Sequence, residues 1–189
     1  DKIISKLGKG SFGSVFKVQN IKTNEIRALK VIKKTSIIYQ DDDHKFLKEI
    51  EILIKLEHPN IIKIYEYYTD DINFYLITDY ISNGELYNYV YKAKSFNERQ
   101  TQYIMKQVLC AVNYLHLNNI AHRDIKLENI LVEQEITSND EQLLNVKLID
   151  FGTSNYVKTE NTNYFTVKVG SPFYMAPEVL NKKYNNKCD

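Results

Sequence analysis

The chain has 189 residues and a formal charge of +1, from 25 Lys and Arg against 24 Asp and Glu. With 43% hydrophobic and 26% charged residues, disorder, a collagen-like repeat and a coiled coil are excluded. The near-zero charge argues for no nucleic-acid or anionic-membrane partner. At about 150 residues per domain, the length exceeds one small domain and falls short of two average ones.

No run approaches the ~18 apolar residues of a membrane span, and Asp1-Lys2-Ile3-Ile4-Ser5-Lys6 lacks the apolar core of a signal peptide. A soluble cytoplasmic protein is expected. Cys110 and Cys188 have neither disulfide-framework nor metal spacing, and Cys110 falls in an apolar helical pattern that reads as an inert buried thiol.

In chain order, the first third reads as strands. Ile3-Ile4 and Val15-Phe16-Lys17-Val18 flank a glycine turn, and Arg27-Ala28-Leu29-Lys30-Val31-Ile32 follows the turn-forming Lys22-Thr23-Asn24-Glu25, predicting an antiparallel meander. From Asp43 the period changes: Phe46, Leu47, Ile50, Leu53 and Ile54 recur at three- and four-residue steps, and the helix ends before Pro59. Two more strands are predicted at 61–65 and 74–78, on either side of Thr69-Asp70-Asp71.

After Ser82-Asn83-Gly84 helical spacing takes over, with a short helix at 86–90 and a long one over 98–117 striped by Ile104, Val108, Val112 and Leu115. Asn97 with Gln100 matches a capping box at its start. Short strands at 130–132 and 146–149 enclose the polar residues 133–145, which read as a solvated surface loop. The change of period between Thr78 and Gly84 marks a boundary between two lobes.

Gly8-Lys9-Gly10-Ser11-Phe12-Gly13-Ser14-Val15 has G-x-G-x-x-G-x-V spacing between two strands. A dinucleotide fingerprint needs a helix directly after its glycines; here a strand follows, so a phosphate would be covered by a hairpin. Plain turn glycines are the alternative. On the third strand, alternation puts Ala28 and Lys30 on one face. Lys30 is either a solvated edge lysine or the partner of a helix carboxylate. Glu49 would aim its ammonium at phosphate oxygens, and Glu51, about 200° further round the helix, is the competitor.

His122-Arg123-Asp124-Ile125-Lys126-Leu127-Glu128-Asn129 crowds polar side chains between an apolar helix and an apolar strand, where a purely structural loop would use Gly, Ser or Asn. Asp150-Phe151-Gly152 follows a buried strand. Asp124, Asn129 and Asp150 are hard oxygen donors suited to Mg²⁺ and a hydroxyl, because magnesium takes one or two carboxylates plus substrate phosphates.

These motifs, in this order and with Ala176-Pro177-Glu178 after them, resemble the eukaryotic protein kinases over essentially the whole chain. The resemblance implies an α+β bilobal fold. Residues 1–78 would be an N-lobe of antiparallel sheet plus one helix, 79–84 a hinge, and 85–189 a C-lobe, mainly helical and truncated. It implies transfer of the γ-phosphoryl group of ATP, with Mg²⁺ as cofactor, to serine or threonine hydroxyls of protein substrates. The ATP-binding set would be Leu7, Gly8, Gly10, Gly13, Val15, Ala28, Lys30, Thr78, Asp79, Ile81, Glu85, Glu128, Leu131 and Asp150, with Glu49 holding Lys30. Asp124 would accept the substrate proton, Lys126 neutralise the phosphoryl, and Asn129 and Asp150 hold the metal.

Lys126 and Ser171 resemble the serine/threonine kinases, with Ser171 contacting Asp124 and Lys126. Glu85 and Glu128 match carboxylates that pair with substrate arginines, implying basic sites. The polar insertion before Asp150 and residues 170–180 look most like the calcium-dependent protein kinases of the calcium/calmodulin-dependent group. The chain holds no EF-hand loop, so calcium or calmodulin control would act through regions outside it.

The usual activation-loop acceptor, four residues before Ser171, is Val167. Either the loop is shifted and Thr166 is modified, or activity needs no phosphate there. Asp189 resembles the aspartate that receives the backbone near His122 and Arg123. The chain therefore reads as an incomplete domain, expected to be unstable or inactive alone and to expose apolar surface on its long helix. The alternatives are a pseudokinase acting as a nucleotide-binding scaffold, or a fragment inactive through truncation.

Overall fold

The computed structural model describes residues 1–10, 13–36, 50–51, 53–138, 141–157 and 164–189. They form two compact units, Asp1–Glu57 with Ile62–Ile81, and His58–Ile61 with Ser82–Asp189.

The first unit is a five-stranded antiparallel sheet of β1 (Lys2–Gly10), β2 (Gly13–Gln19), β3 (Ile26–Lys33), β4 (Ile64–Thr69) and β5 (Asn73–Asp79), in the order β1-β2-β3-β5-β4. Its turns are set by short polar side chains. Asn20 Oδ1 accepts from the Lys22 and Thr23 amides between β2 and β3, and Asp70 Oδ1 does so from Ile72 and Asn73 between β4 and β5. A Cβ at Gly13 would lie 1.7 Å from the Val31 carbonyl oxygen, so the close approach of β2 to β3 requires glycine there. Val18, Ile32 and Phe74 are almost fully buried. Of the helix expected from Asp43, residues 50–51 and 53–57 are described: Ile50, Glu51 and Leu53 are helical, and a turn at 54–55 ends the helix ahead of Pro59.

The strand expected at 61–65 begins only at Ile64. Ile61 belongs to the second unit, where it makes a lone parallel bridge with Leu148, because the Asn60 carbonyl accepts from the Leu148 amide at 2.8 Å.

In the second unit, α1 (Leu86–Ala93) is a turn longer than its pattern predicted, and α2 spans Glu98–Leu117 as expected. Asn97 caps α2 through the Gln100 amide, and the Gln100 side chain returns the bond to the Asn97 amide. Ile104, Val108, Ala111, Val112 and Leu115 are buried, and α2 packs against β8. Met105, Leu109 and Leu117 lie on its exposed side. Cys110 is exposed with them, correcting the buried thiol expected from the pattern: its position falls just outside the buried stripe.

The polar stretch 133–145 is not a loop. It forms most of the hairpin of β7 (Ile130–Ser138) and β8 (Glu141–Leu148). A two-stranded ribbon leaves most of one face to water, so polar residues serve it. Tyr89 donates to Glu135 at 2.5 Å, the Gln142 side chain donates to Glu135, and Leu143 and Leu144 turn inward. The short pair β6 (Ile120–Ala121) and β9 (Asn155–Tyr156) and the helix α3 (Pro177–Leu180) complete the unit.

Candidate active site

Two segments of the second unit are brought to one end of the β7–β8 hairpin. Ile130 pairs with Leu148, and the Ile149 amide donates to the Asn129 carbonyl at 2.9 Å, so Asn129 and Asp150 lie beside the same strand ends. The helix holds this hairpin through a polar clamp. Gln107, in the middle of α2, accepts from the Val146 amide and donates to the Leu144 carbonyl, both at 3.0 Å, filling ladder positions that β8 would otherwise leave open.

Asp124 is the centre of the arrangement. Its Oδ1 accepts from the Ser171 amide at 2.8 Å, and its Oδ2 accepts from Asn129 Nδ2 at 2.9 Å and pairs with Lys126 Nζ at 2.9 Å. Lys126 also donates to Ser171 Oγ at 2.6 Å. Burial alone would push the Asp124 carboxyl up, but the hydrogen bonds from Lys126 and Ser171 and the lysine charge hold it below the usual carboxylate value. It is therefore ionised at neutral pH, an acceptor ready for a hydroxyl proton.

The loop is fixed from beneath. His122 is fully buried, and its Nε2 donates to the Ile149 carbonyl at 2.9 Å, which leaves Nδ1 to accept from the Asp124 amide at 3.3 Å. Burial lowers its pKa, so the imidazole is neutral, as that tautomer requires. Its ring packs edge-on against Phe151 at 5.1 Å. The buried carboxylate of Asp189 accepts from the His122 amide at 2.7 Å, the Arg123 amide at 2.6 Å and His116 Nε2 at 3.0 Å. Arg123 and Asp150 both sit at positive φ, 68° and 62°. Such strain persists only where surrounding bonds over-determine it.

Asn129 and Asp150 provide an amide oxygen and a carboxylate, a donor set that fits Mg²⁺. Asn129 Nδ2 is turned toward the Asp124 carbonyl and carboxylate, which leaves Oδ1 as its cation-facing atom. Among the described residues there is no group of three His, Cys, Asp or Glu forming a metal cage, and magnesium needs none because phosphates and water complete its shell.

Glu128 has one carboxylate oxygen, Oε2, buried without a hydrogen-bond partner among the described residues. α1, which starts just after Glu85, packs on the Leu127–Asn129 turn, and Glu85 bridges to Leu131.

In the first unit, cross-strand register gathers the other expected residues on one face. Gly8 pairs with Val15, Val15 with Lys30, and Ala28 with Thr78. Leu76, opposite Lys30 and unremarked in the sequence reading, joins them; its two-residue step from Thr78 is the signal that could have found it. A Cβ on Gly8 would meet nothing within 4 Å. Leu7 is exposed. The Asp79 amide donates to the Lys63 carbonyl, its carboxylate accepts from the Lys63 amide and the Tyr65 hydroxyl, and its carbonyl accepts from the Thr78 hydroxyl at 3.2 Å. Ile81 is half-buried, and Glu49 and the Gly10 side of the glycine turn lie outside the described side chains. Thr166 is exposed.

Residues 2–189 match the family described as "Protein kinase domain". The chain is 42% identical over 188 residues to Calcium-dependent protein kinase 4 of Plasmodium berghei (strain Anka), covering 100% of this chain and 34% of that protein. To the protein of the same name from Plasmodium falciparum (isolate 3D7) it is 40% identical over 188 residues, again 100% of this chain and 34% of the relative. To Calcium-dependent protein kinase 5 of Plasmodium berghei (strain Anka) it is 42% identical over 184 residues, 97% of this chain and 31% of the relative. The chain thus spans about a third of the length of the curated relatives it matches. With a family match from Lys2 to Asp189 and an Asp124–Lys126–Asn129–Ser171 cluster on the hairpin end, the chain belongs to the protein kinase family and is similar to the calcium-dependent protein kinases.

Proposed function

We propose that the intact protein is an ATP-dependent serine/threonine kinase that transfers the γ-phosphoryl group to protein hydroxyls at basic sites. The observation that carries this reading is the ionised Asp124, held by Lys126 and Ser171. Asp124 would orient the acceptor hydroxyl and take its proton, while Lys126 would neutralise the phosphoryl oxygens on which charge is spread during transfer. The Ser171 amide and hydroxyl fix the distance between the two. Pre-set charges of this kind supply most of the rate enhancement in such sites.

Asn129 and Asp150 would hold Mg²⁺, which when bound neutralises phosphate oxygens. Lys30, with Glu49 as its partner, would bind the nucleotide phosphates beneath the backbone of Gly8, Gly10 and Gly13. Val15, Ala28, Thr78, Leu7 and Leu131 would line the adenine, the backbone of Asp79 and Ile81 would read its edge, and Glu85 and Glu128 would lie at the rim. The openness at Gly8 supports close approach of a ligand to that backbone. Residues 1–78 and 85–189 would act as the two lobes around a hinge at 79–84.

The basic-site preference rests on Glu128. A buried carboxylate oxygen without a partner is costly, and a substrate guanidinium would supply the missing donors, with Glu85 as a second carboxylate for it. Calcium dependence is carried by the relatives' names; in this protein it would act through regions outside these residues. No helix among the described residues is long and apolar enough to cross a membrane, and we place the protein in the cytoplasm on its thiol usage.

The test is phosphorylation by the intact protein, with Mg-ATP, of paired serine peptides carrying arginine or alanine upstream of the acceptor. The arginine peptide is expected to lead by about tenfold or more in kcat/KM, as one charge-assisted pair allows, and Glu128→Ala to remove most of that lead. Equal use of both peptides by the wild-type protein would contradict the substrate preference, and no phosphate transfer to either would contradict the activity.

A further inference from the structure

In the kinase reading, Arg123 is the residue that would meet a phosphate on the activation segment, yet the residue at that position is Val167. The guanidinium of Arg123 is already engaged. The residue is only 8% exposed, its Nε donates to the Thr153 carbonyl at 2.6 Å, and its Nη1 donates to the Tyr184 hydroxyl at 3.3 Å. Its plane lies 4.7 Å from the centre of the Phe165 ring, a cation–π contact.

Tyr184 passes this hold to the segment itself. It is 2% exposed, and its hydroxyl donates to the carbonyl of Val167 at 2.6 Å. Its backbone pairs with Phe165 in both directions, Phe165 N–H to Tyr184 O at 2.6 Å and Tyr184 N–H to Phe165 O at 3.3 Å, and the two rings lie 5.3 Å apart. The backbone oxygen of Val167 is therefore joined to Arg123 through a single phenol, where a modified side chain would otherwise be needed. The exposed Thr166 lies between two residues that take part in this knot. A phosphate there could recruit Arg123 only by drawing a buried cation away from Thr153, Tyr184 and Phe165 together.

The same knot reaches the catalytic loop. Gly170, at φ +101°, packs so closely on Arg123 that a Cβ would fall 2.5 Å from its carbonyl oxygen. The next residue, Ser171, contacts Asp124 and Lys126.

We propose that the Arg123–Tyr184–Phe165 cluster replaces an activation-segment phosphate, so that the segment from Tyr164 to Ser171 is held in its working arrangement without modification, with Tyr184 as a positioning residue. The proposal rests on the kinase reading above.

The test compares intact protein before and after phosphatase treatment, with the loss of all phosphate verified by mass. The dephosphorylated protein and the Thr166→Ala variant are expected to keep kcat within about twofold of the untreated protein, a change smaller than one lost hydrogen bond produces. Tyr184→Phe is expected to lose about tenfold in kcat with little change in KM for ATP, as removal of a hydrogen bond to a charged group predicts. Adding Val167→Glu to Tyr184→Phe is expected to recover part of that loss, because a carboxylate gives Arg123 a new partner, and a merely structural tyrosine would show no such rescue. A tenfold fall on dephosphorylation, reversed by rephosphorylation, would overturn the proposal, as would a Tyr184→Phe enzyme with wild-type kcat. Wild-type protein inactive in both states would overturn the kinase reading itself, which separates the two failures.

Discussion

Lys126 stands between two oxygens, the Asp124 carboxylate at 2.9 Å and the Ser171 hydroxyl at 2.6 Å, and is mostly shielded from water. A lysine so held is a fixed positive charge rather than a flexible surface group. The spacing of Ser171 from Asp124 depends on Gly170, whose positive φ and contact with the Arg123 carbonyl admit no side chain. Gly170→Ala must displace the Ser171 amide from Asp124, and kcat is expected to fall by about tenfold or more, the scale of one lost hydrogen bond to a charged group. An alanine variant with wild-type kcat would show that the Ser171 contact does not matter to the rate. Asp124, Lys126 and Asn129 stood out in sequence because they share one polar loop, whereas Ser171, 47 residues from Asp124, was reached only through the family resemblance; the structure brings the four together. Tyr184 was not, since its meaning comes from Val167 and Arg123, 17 and 61 residues away.

At the scale of elements, α2 does two jobs. Its apolar stripe was readable from periodicity, and so was its cap, because both follow from short-range spacing. Gln107 was invisible among the polar residues of the helix, although its side chain secures β8 and with it the approach to Asp150. Within the hairpin, the strands at its base were expected, but the polar stretch 133–145 reads as a loop for a related reason: a ribbon with one wet face tolerates polar composition as long as residues such as Leu143 and Leu144 point inward. The cap gives a direct prediction. Asn97→Ala removes the acceptor of the Gln100 amide, at a cost of about 1 kcal/mol, and hydrogen exchange in the first turn of α2 should speed up accordingly. Unchanged exchange at Gln100 would mean that the cap is not what holds this end.

For the molecule as a whole, the antiparallel sheet and the two helices that follow it were legible from the switch between two-residue and 3.6-residue periods. Residues 37–49, where Glu49 falls, and 158–163 lie outside the described structure. Stability should respond to pH through His122. Burial depresses its folded pKa, so the unfolded chain binds this proton more readily; its contribution is fully present above the unfolded value of about 6.5 and is lost as the pH falls below it toward the folded value. The urea midpoint of the intact protein should therefore drop between pH 7.5 and 5.5, and less so in His122→Gln. Identical drops in both proteins would remove His122 from the account.

The central claim is that Asp124 acts on the reacting hydroxyl without serving to bind ATP. Asp124→Asn keeps the size but loses the charge and replaces one of the two acceptor oxygens with a donor. Measured side by side with the wild-type protein, it is expected to retain the Kd for Mg-ATP within about twofold while kcat for peptide phosphorylation falls by about a hundredfold or more, the range of a lost general base. A variant that still phosphorylates peptide at the wild-type rate, or one whose loss lies wholly in ATP affinity, would contradict it.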